Sequence, residues 1–225
     1  MKLYKKNLNK LKKGKAYDPI YEHDACGVGF VASTDGVKSR KVVEFGIQAL
    51  KAVWHRGAVD ADGKTGDGAG IHIEIPNDFF VERIRNAGRQ HVKGKICVGM
   101  IFLPRNDYSS QEKCKTLVEN ELLNKNYYIY RWRQVPVNTQ VLGIKAESNR
   151  PEIVQIIFKS NNKRLKDDEL ERELFVIRKK IEKQSNIMKL KDFYICSFSS
   201  RSVIYKGMFL AEALSEFYPD LIDKR

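Results

Sequence analysis

The sequence predicts a layered α+β fold, and three observations support this prediction. The 225 residues are enough to bury a substantial core, in one large domain or two small ones. Hydrophobic residues make up 42% of the chain and charged residues 31%, which is typical of globular proteins rather than disordered ones. Segments with strand and helix patterns come partly in runs and partly in alternation, which favours α+β layers over a parallel βαβ series.

The first half of the chain is predicted to form short elements separated by turns. Residues 1–16 are lysine-rich with little pattern, and we expect a mobile tail there. Apolar residues three and four apart favour a helix, while alternation or a short apolar run favours a strand. These patterns predict a strand at 28–33, a turn at 34–36, a helix at 41–54, a strand at 71–75, a helix at 78–86 and a strand at 95–103.

The second half contains the clearest periodicity. A capping box formed by Ser109 and Glu112 is predicted to open a helix. The strongest helical pattern lies at 167–184, where apolar residues spaced three and four apart form a stripe along one face: Leu170, Leu174, Ile177 and Ile181. We expect Ser200-Arg201 to join the last two strands as a hairpin. The full set is a helix at 109–124, strands at 127–135 and 153–158, a helix at 167–184, strands at 193–199 and 202–205, and a helix at 208–217.

The net charge of +13 is not distributed as in a typical nucleic-acid-binding protein. Residues 1–25 contain seven lysines and three acidic residues, a net of +4, and the remaining +9 is spread over helices of mixed sign. The sequence has no basic stripe interleaved with aromatic residues, so we expect no nucleic-acid partner. It also lacks both an apolar run of about 20 residues and the apolar centre of a secretory signal. We therefore expect no membrane partner and a cytoplasmic location.

The four cysteines are widely spaced and form no C-x-x-C pair. This spacing argues against a zinc site or a disulfide framework, and we expect no metal site. Cys97, Cys114 and Cys196 fall in apolar patterns and are predicted to be small core residues. Cys26 is different, because Gly27 and Gly29 leave room for another group to approach its sulfur.

The glycine- and aspartate-rich segment 60–70 does not fit the known phosphate-binding motifs. A P-loop ends in Gly-Lys-Ser/Thr and opens a helix, and a dinucleotide fingerprint follows a strand and precedes a helix. This segment leads into a predicted strand instead. A tight turn is the commoner structure for such a sequence. Alternatively, a buried Asp67 and the freedom of the glycines would suit a loop folded against an active centre.

Two basic residues follow the predicted helix at 41–54. A cation at a helix C-terminus is favoured by the helix dipole, and this explains His55. Arg56, followed by Gly57, could instead turn its guanidinium into a site, where it offers a rigid fork of donors. His23 lies near Cys26 in an extended leader segment, and we do not pair the two residues.

Several motifs resemble those of the class II glutamine amidotransferases, which are N-terminal-nucleophile hydrolases. The main ones are Asp24-Ala-Cys-Gly-Val-Gly-Phe30, Trp54-His-Arg-Gly-Ala58 and Ala61-Asp-Gly-Lys-Thr-Gly-Asp-Gly-Ala-Gly70. Further matches in the family's order are Val98–Leu103, Trp132–Pro136, Asp192–Ser197 and Ile204–Met208. Lys-Thr-Gly-Asp-Gly beside His-Arg-Gly points within this family to the beginning of the glutamate synthase large chain.

The resemblance implies an α/β/β/α layered sandwich, a leader at residues 1–25 and a glutaminase domain at 26–225. It implies that Cys26 becomes the first residue and hydrolyses glutamine to glutamate and ammonia through a thioester, for glutamate biosynthesis. Arg56 is implied to organise the site, and Gly57, Asp67 and Gly68 to bind substrate or shape the site. We expect no cofactor in this chain, whereas FMN and an iron–sulfur cluster are implied for the complete parent enzyme.

The family's substrate-binding Arg-x-Ser-Thr segment and its oxyanion-forming Asn-Gly-Glu segment come after the point where this chain ends. We therefore expect the sandwich and its site to be C-terminally incomplete. The expected partners are glutamine, downstream glutamate synthase segments and a small electron-donating subunit. Two alternatives stay open: an inactive fragment acting as an interaction module, and a basic nucleic-acid-binding protein.

Overall fold

The computed structural model contains helices and antiparallel strands in mixed order, and it describes residues 2–14, 27–53, 57–91 and 93–224. The helices are α1 (Lys2–Lys13), α2 (Arg40–Ala52), α3 (Asn77–Arg85), α4 (Tyr108–Leu123), α5 (Ile144–Ser148), α6 (Asp167–Ile187) and α7 (Leu214–Phe217). The strands are β1 (Ala69–Glu74), β2 (Cys97–Leu103), β3 (Tyr127–Gln134), β4 (Glu152–Ser160), β5 (Tyr194–Ser199) and β6 (Ser202–Gly207). Short 3-10 helices cover Thr139–Val141, Ala211–Ala213 and Pro219–Ile222. The predicted α+β class is confirmed.

The strands form two antiparallel sheets. The larger sheet has four strands in the order β3-β4-β2-β5, and the smaller one pairs β1 with β6. In the smaller sheet, the register runs from Ala69 opposite Gly207 to Glu74 opposite Ser202. The exposed and half-buried residues of β1 alternate, as the sequence predicted for a strand with one solvated face.

Two hydrophobic cores lie on opposite faces of the four-stranded sheet. Successive side chains of a strand point to opposite faces, and β4 shows this directly. Ile153 and Ile157 belong to the first core, which includes residues of both sheets and of α2. Ile156 and Phe158 belong to the second core, which the inner faces of α4 and α6 complete. None of the described helices combines the length with the apolar composition that a bilayer span requires.

The two helices of the second core, α4 and α6, confirm the helices that the apolar periodicity of the sequence predicted. The α6 stripe is buried throughout, with Leu170 5% exposed and the other three stripe residues fully buried. The start of α4 differs from the prediction, because Asp107 rather than Ser109 is its N-cap residue. The Asp107 carboxylate accepts hydrogen bonds from the backbone N–H of Ser110 at 2.9 Å and from its hydroxyl at 2.6 Å.

A buried ion pair ties the last described turn to the larger sheet. Arg133 of β3 donates two hydrogen bonds to Asp220, at 2.7 and 2.6 Å, and a third to the Gln155 side-chain carbonyl at 2.7 Å. The Tyr205 hydroxyl accepts from the Gln155 amide at 3.1 Å and donates to Asp220 at 3.3 Å. The pair is closed off from solvent, since the side chains of Arg133 and Asp220 are only 8% and 4% exposed.

Two predicted features are wrong in the first part of the chain. Residues 2–13 form α1 rather than a patternless tail, because lysine and leucine are good helix formers and no glycine precedes Gly14. Residues 28–33 form no strand, and Val28 and Phe30 are 94% and 93% exposed. Within the described part of the chain no strand pairs with this segment, so it lacks the hydrogen-bond partner that a strand requires.

The turn at residues 200–201 is present, but it does not make the predicted hairpin. It joins β5 to β6, and these strands belong to different sheets. The Glu171 carboxylate of α6 accepts hydrogen bonds from both the backbone N–H and the hydroxyl of Ser200, each at 2.6 Å. This anchor holds the turn against α6 where the chain passes between the sheets. The predicted helix at 208–217 is shortened to one 3-10 turn and α7.

Candidate active site

The segment that leads into β1 is a closed loop, which we call the glycine loop (residues 57–68). Val59 and Gly66 form an isolated antiparallel bridge, and between them the Asp60 N–H donates to the Thr65 carbonyl at 2.8 Å. Gly63 turns the chain with φ of +69°, a conformation that glycine adopts without strain. The segment is therefore a tight turn, as the commoner interpretation of its sequence predicted.

Asp62 holds the inside of the glycine loop together. Its carboxylate accepts from the backbone N–H groups of Lys64 at 3.0 Å and Thr65 at 2.7 Å, and from the Thr65 hydroxyl at 2.6 Å. The Thr65 hydroxyl hydrogen bond, followed by the two backbone donors, holds the pKa of Asp62 far below its usual range. Sequence reasoning missed both residues, although Asp followed by Thr three positions later is typical of a side-chain-capped turn.

Two other segments pack closely against the glycine loop. An added Cβ at Gly143, just before α5, would overlap the Thr65 hydroxyl oxygen. An added Cβ at Gly66 would lie 2.8 Å from the backbone carbonyl oxygen of Phe209. In addition, the Lys145 ammonium donates to Asp60 at 2.7 Å, and this hydrogen bond lowers the pKa of Asp60. Contacts from segments distant in sequence therefore fix the position of the loop.

The base of the glycine loop brings together three of the predicted site residues. Gly57 begins it, and the Asp67 N–H donates to the Ala58 carbonyl at 3.3 Å. Gly68 has φ of +130°, and an added Cβ there would lie 3.5 Å from the Gly207 carbonyl oxygen. The expected burial of Asp67 is wrong: its side chain is exposed, because Asp62 takes the inward position in the loop.

The other two predicted site residues, Cys26 and Arg56, lie outside the described residues, as do His23 and His55. The structure therefore does not test the catalytic assignment of Cys26 or the organising role of Arg56. It does place the remaining cysteines.

The three other cysteines are buried core residues, as the sequence predicted. Cys97 and Cys114 are fully buried and Cys196 is 4% exposed. Burial raises the pKa of Cys97 well above its usual range and the pKa values of Cys114 and Cys196 to about 11. A thiol is nucleophilic as its thiolate, so these three side chains are unsuited to covalent catalysis at neutral pH.

The described side chains do not fit an iron–sulfur cluster or a metal ion. No group of three or more His, Cys, Asp or Glu side chains in the described ranges could hold a metal. An iron–sulfur cluster needs several cysteine thiolates at one place, whereas the three described cysteines are separately buried in the cores. We therefore derive no catalytic step through such a group in this chain.

A pocket of about 270 Å³ lies at the end of β1 remote from the glycine loop. Its lining includes the cations Lys38, Lys95 and Arg201. Each of these pairs with a carboxylate, respectively Glu74, Asp167 and Asp168. None of the predicted site residues that the structure describes lines this pocket, and its positive charges are balanced.

Comparison with known proteins identifies the class of this chain. The family model for "Glutamine amidotransferases class-II" matches residues 26–225. The chain belongs to this family, which confirms the resemblance inferred from the motifs around Cys26, Arg56 and the glycine loop.

The relatives narrow this class further. The chain is 55% identical over 222 residues to the glutamate synthase [NADPH] large chain of Azospirillum brasilense, covering 99% of this chain and 15% of the relative. It is 41% identical over 207 residues to the ferredoxin-dependent glutamate synthase of Pyropia yezoensis, covering 89% and 13% respectively. It is 39% identical over 203 residues to ferredoxin-dependent glutamate synthase 2 of Synechocystis, covering 90% and 13%. The chain thus spans only 13–15% of the length of these relatives.

Proposed function

We propose that this chain is the N-terminal part of the glutaminase domain of a glutamate synthase, with Cys26 as its nucleophile. The observation that best supports this proposal is the position of the family match, which begins at Cys26. A nucleophile at the first residue of the mature domain predicts this boundary. The three other cysteines are buried with raised pKa values, which leaves Cys26 as the cysteine suited to the role.

The proposed reaction uses the α-amino group of Cys26 as the base. An α-amine has a pKa of about 7.7–8.0, so near neutral pH it can accept the thiol proton. The thiolate then adds to the side-chain amide carbon of glutamine. The C–N bond breaks, the amine returns its proton, and ammonia leaves a thioester. Water hydrolyses the thioester to glutamate and restores the thiol.

This chemistry requires cleavage of the peptide bond between Ala25 and Cys26. Any residue left before Cys26 converts its α-amine into an amide, which is not a base at neutral pH. We therefore propose that residues 1–25 are a leader, whose removal from 225 residues leaves 200.

The remaining predicted residues are proposed to position the substrate. Arg56 would organise carboxylate or backbone groups through its guanidinium fork. Gly57, Asp67 and Gly68 would form a rim of the site, and the bonds of Asp62 and the packing of the glycine loop support a fixed position for that rim. The exposed Asp67 side chain is available to a substrate in this arrangement.

We also propose that the two sheets form the central layers of an α/β/β/α sandwich. A core shared by the two sheets supports this arrangement, and so do α4 and α6, which cover the opposite face of the larger sheet.

The test combines intact mass, N-terminal sequencing and ammonia release from glutamine. We expect a start at Cys26, glutamine hydrolysis when the downstream glutamate synthase segment is supplied, and no hydrolysis by Cys26→Ala in the same assay. A retained leader together with no ammonia release, even with the downstream segment, would favour the inactive interaction module. Activity in Cys26→Ala would overturn the nucleophile assignment.

A further inference from the structure

The outer edge of the four-stranded sheet carries a basic and aromatic surface. β3 is the edge strand and pairs with β4 on one side only. The residues at this edge come from β3, from the end of β4 and from the segment between α3 and β2. We call them the β3-edge surface: Arg89, His91, Lys93, Tyr128 and Lys159, which lie next to the buried Tyr130.

Direct contacts hold most of this surface together. The Tyr130 hydroxyl lies 3.0 Å from His91 Nδ1, and the Tyr130 ring meets the Tyr128 ring edge to face with centroids 5.1 Å apart. The Lys159 ammonium lies 6.0 Å from the Tyr128 ring centroid. The Lys159 stem also runs beside Gly94, directly after Lys93, within 4.0 Å of an added Cβ there.

Arg89 binds a backbone carbonyl of the edge strand β3. Its guanidinium donates to the Ile129 carbonyl at 2.8 Å, which uses one donor of the fork and leaves the side chain exposed. Lysine and arginine residues at a sheet edge commonly prevent pairing with other strands. This protective role accounts for the hydrogen bond of Arg89, but it does not require three cations at one place.

The three cations of this surface have no ion-pair partner among the residues that the structure describes. Arg89, Lys93 and Lys159 form no ion pair with any residue in the described ranges, whereas nearby Lys95 pairs with Asp167. Burial and then the charge of Lys159 lower the pKa of His91, so the imidazole is neutral at pH 7 and the three cations supply the field. Such a surface attracts carboxylates from a partner.

We propose that the β3-edge surface binds an acidic protein segment, whose carboxylates pair with Arg89, Lys93 and Lys159. Single-stranded nucleic acid fits the surface less well. Bases stack on free aromatic faces, whereas Tyr128 is occupied edge to face by Tyr130 and approached by the Lys159 ammonium. This proposal is independent of glutaminase activity.

The test measures binding of the 225-residue chain to a fluorescent twelve-residue polyglutamate peptide by anisotropy. The variant is Arg89→Glu with Lys93→Glu and Lys159→Glu. A second variant changes only Lys93 and Lys159 and so keeps the hydrogen bond to Ile129. The matched control makes the same charge change at three exposed lysines that also have no ion pair in the described part of the chain: Lys180→Glu, Lys183→Glu and Lys191→Glu.

We expect the triple variant to bind at least about tenfold more weakly and the control to change by less than about twofold. The binding should also weaken between roughly 0.01 M and 0.15 M ionic strength, as the Debye length falls from about 30 to 8 Å. The double variant should show an intermediate loss. Equal losses in the variant and the control, or no peptide binding at all, would overturn the proposal. So would tighter binding of a twelve-nucleotide oligothymidine that depends on the same three residues.

Discussion

Replacing Asp220 by alanine tests the buried ion pair that joins the last described turn to the larger sheet. The change removes both acceptors of the paired hydrogen bonds and leaves the Arg133 guanidinium buried, with the Gln155 carbonyl as its remaining hydrogen-bond acceptor among the described residues. Truncating one partner of a buried pair is costly because the other charge stays desolvated. The Tyr205 hydroxyl also loses its acceptor.

The expected loss in the free energy of unfolding is about 3–5 kcal/mol, since the Asp220 side chain is only 4% exposed. A chain of this size loses about 2–4 °C in Tm per kcal/mol, so Tm should fall by roughly 6–20 °C. The measurement is urea unfolding followed by circular dichroism. The midpoint should fall without a change in the slope, because the surface exposed on unfolding stays the same.

Glu112→Ala is the matched control for Asp220→Ala. Glu112 pairs with Lys115 at 2.9 Å, but its side chain is 71% exposed, so its removal should cost no more than about 0.5 kcal/mol. The double change Arg133→Met with Asp220→Leu should recover most of the loss, since apolar residues avoid the stranded charge. A loss below about 1 kcal/mol in Asp220→Ala would refute this reasoning about burial.

Three further predictions concern the thiols and the glycine loop. A thiol reagent near pH 8 should rapidly label one cysteine of the native protein, which mass spectrometry should map to Cys26, and should label none in Cys26→Ala. Rapid labelling of a core cysteine would contradict the assigned burial. Gly66→Ala should increase proteolytic cleavage of the loop relative to the wild type, because its new Cβ would lie 2.8 Å from the Phe209 carbonyl oxygen; unchanged cleavage would contradict the packing. Because folding lowers the pKa of Asp62, its carboxylate stabilises the fold above about pH 4, and this stabilisation is lost as pH falls through the folded-state pKa. The Tm difference between the wild type and Asp62→Asn should therefore shrink below about pH 4. A Tm difference independent of pH would refute this assignment.

The part of the fold that sequence predicts well is the part with strong local periodicity. The α6 stripe from Leu170 to Ile181 and the alternation of β1 each follow from one element burying one face. The buried cysteines followed in the same way from their apolar surroundings. The family was also predictable, because the motifs around Cys26 and in the glycine loop lie in short stretches of sequence that need no tertiary information.

The features that sequence did not predict depend on contacts between distant parts of the chain. Arg133 and Asp220 are 87 positions apart, and nothing in either local sequence indicates that they form a pair. The placement of β5 and β6 in different sheets depends on Glu171 of α6 holding the turn at Ser200. Local turn chemistry favours a hairpin there, and the tertiary anchor overrides it.

The glycine loop shows what the local sequence determines and what the tertiary structure determines. Its sequence determined by itself that the segment is a glycine-rich turn and that it belongs to an amidotransferase motif. Only the tertiary structure decided that Asp62 faces inward and Asp67 outward, because Gly143, Ala146 and the Phe209 backbone approach the loop from other elements. Which of two aspartates in one turn faces inward depends on the surfaces that pack against them, and local sequence holds no information about those surfaces.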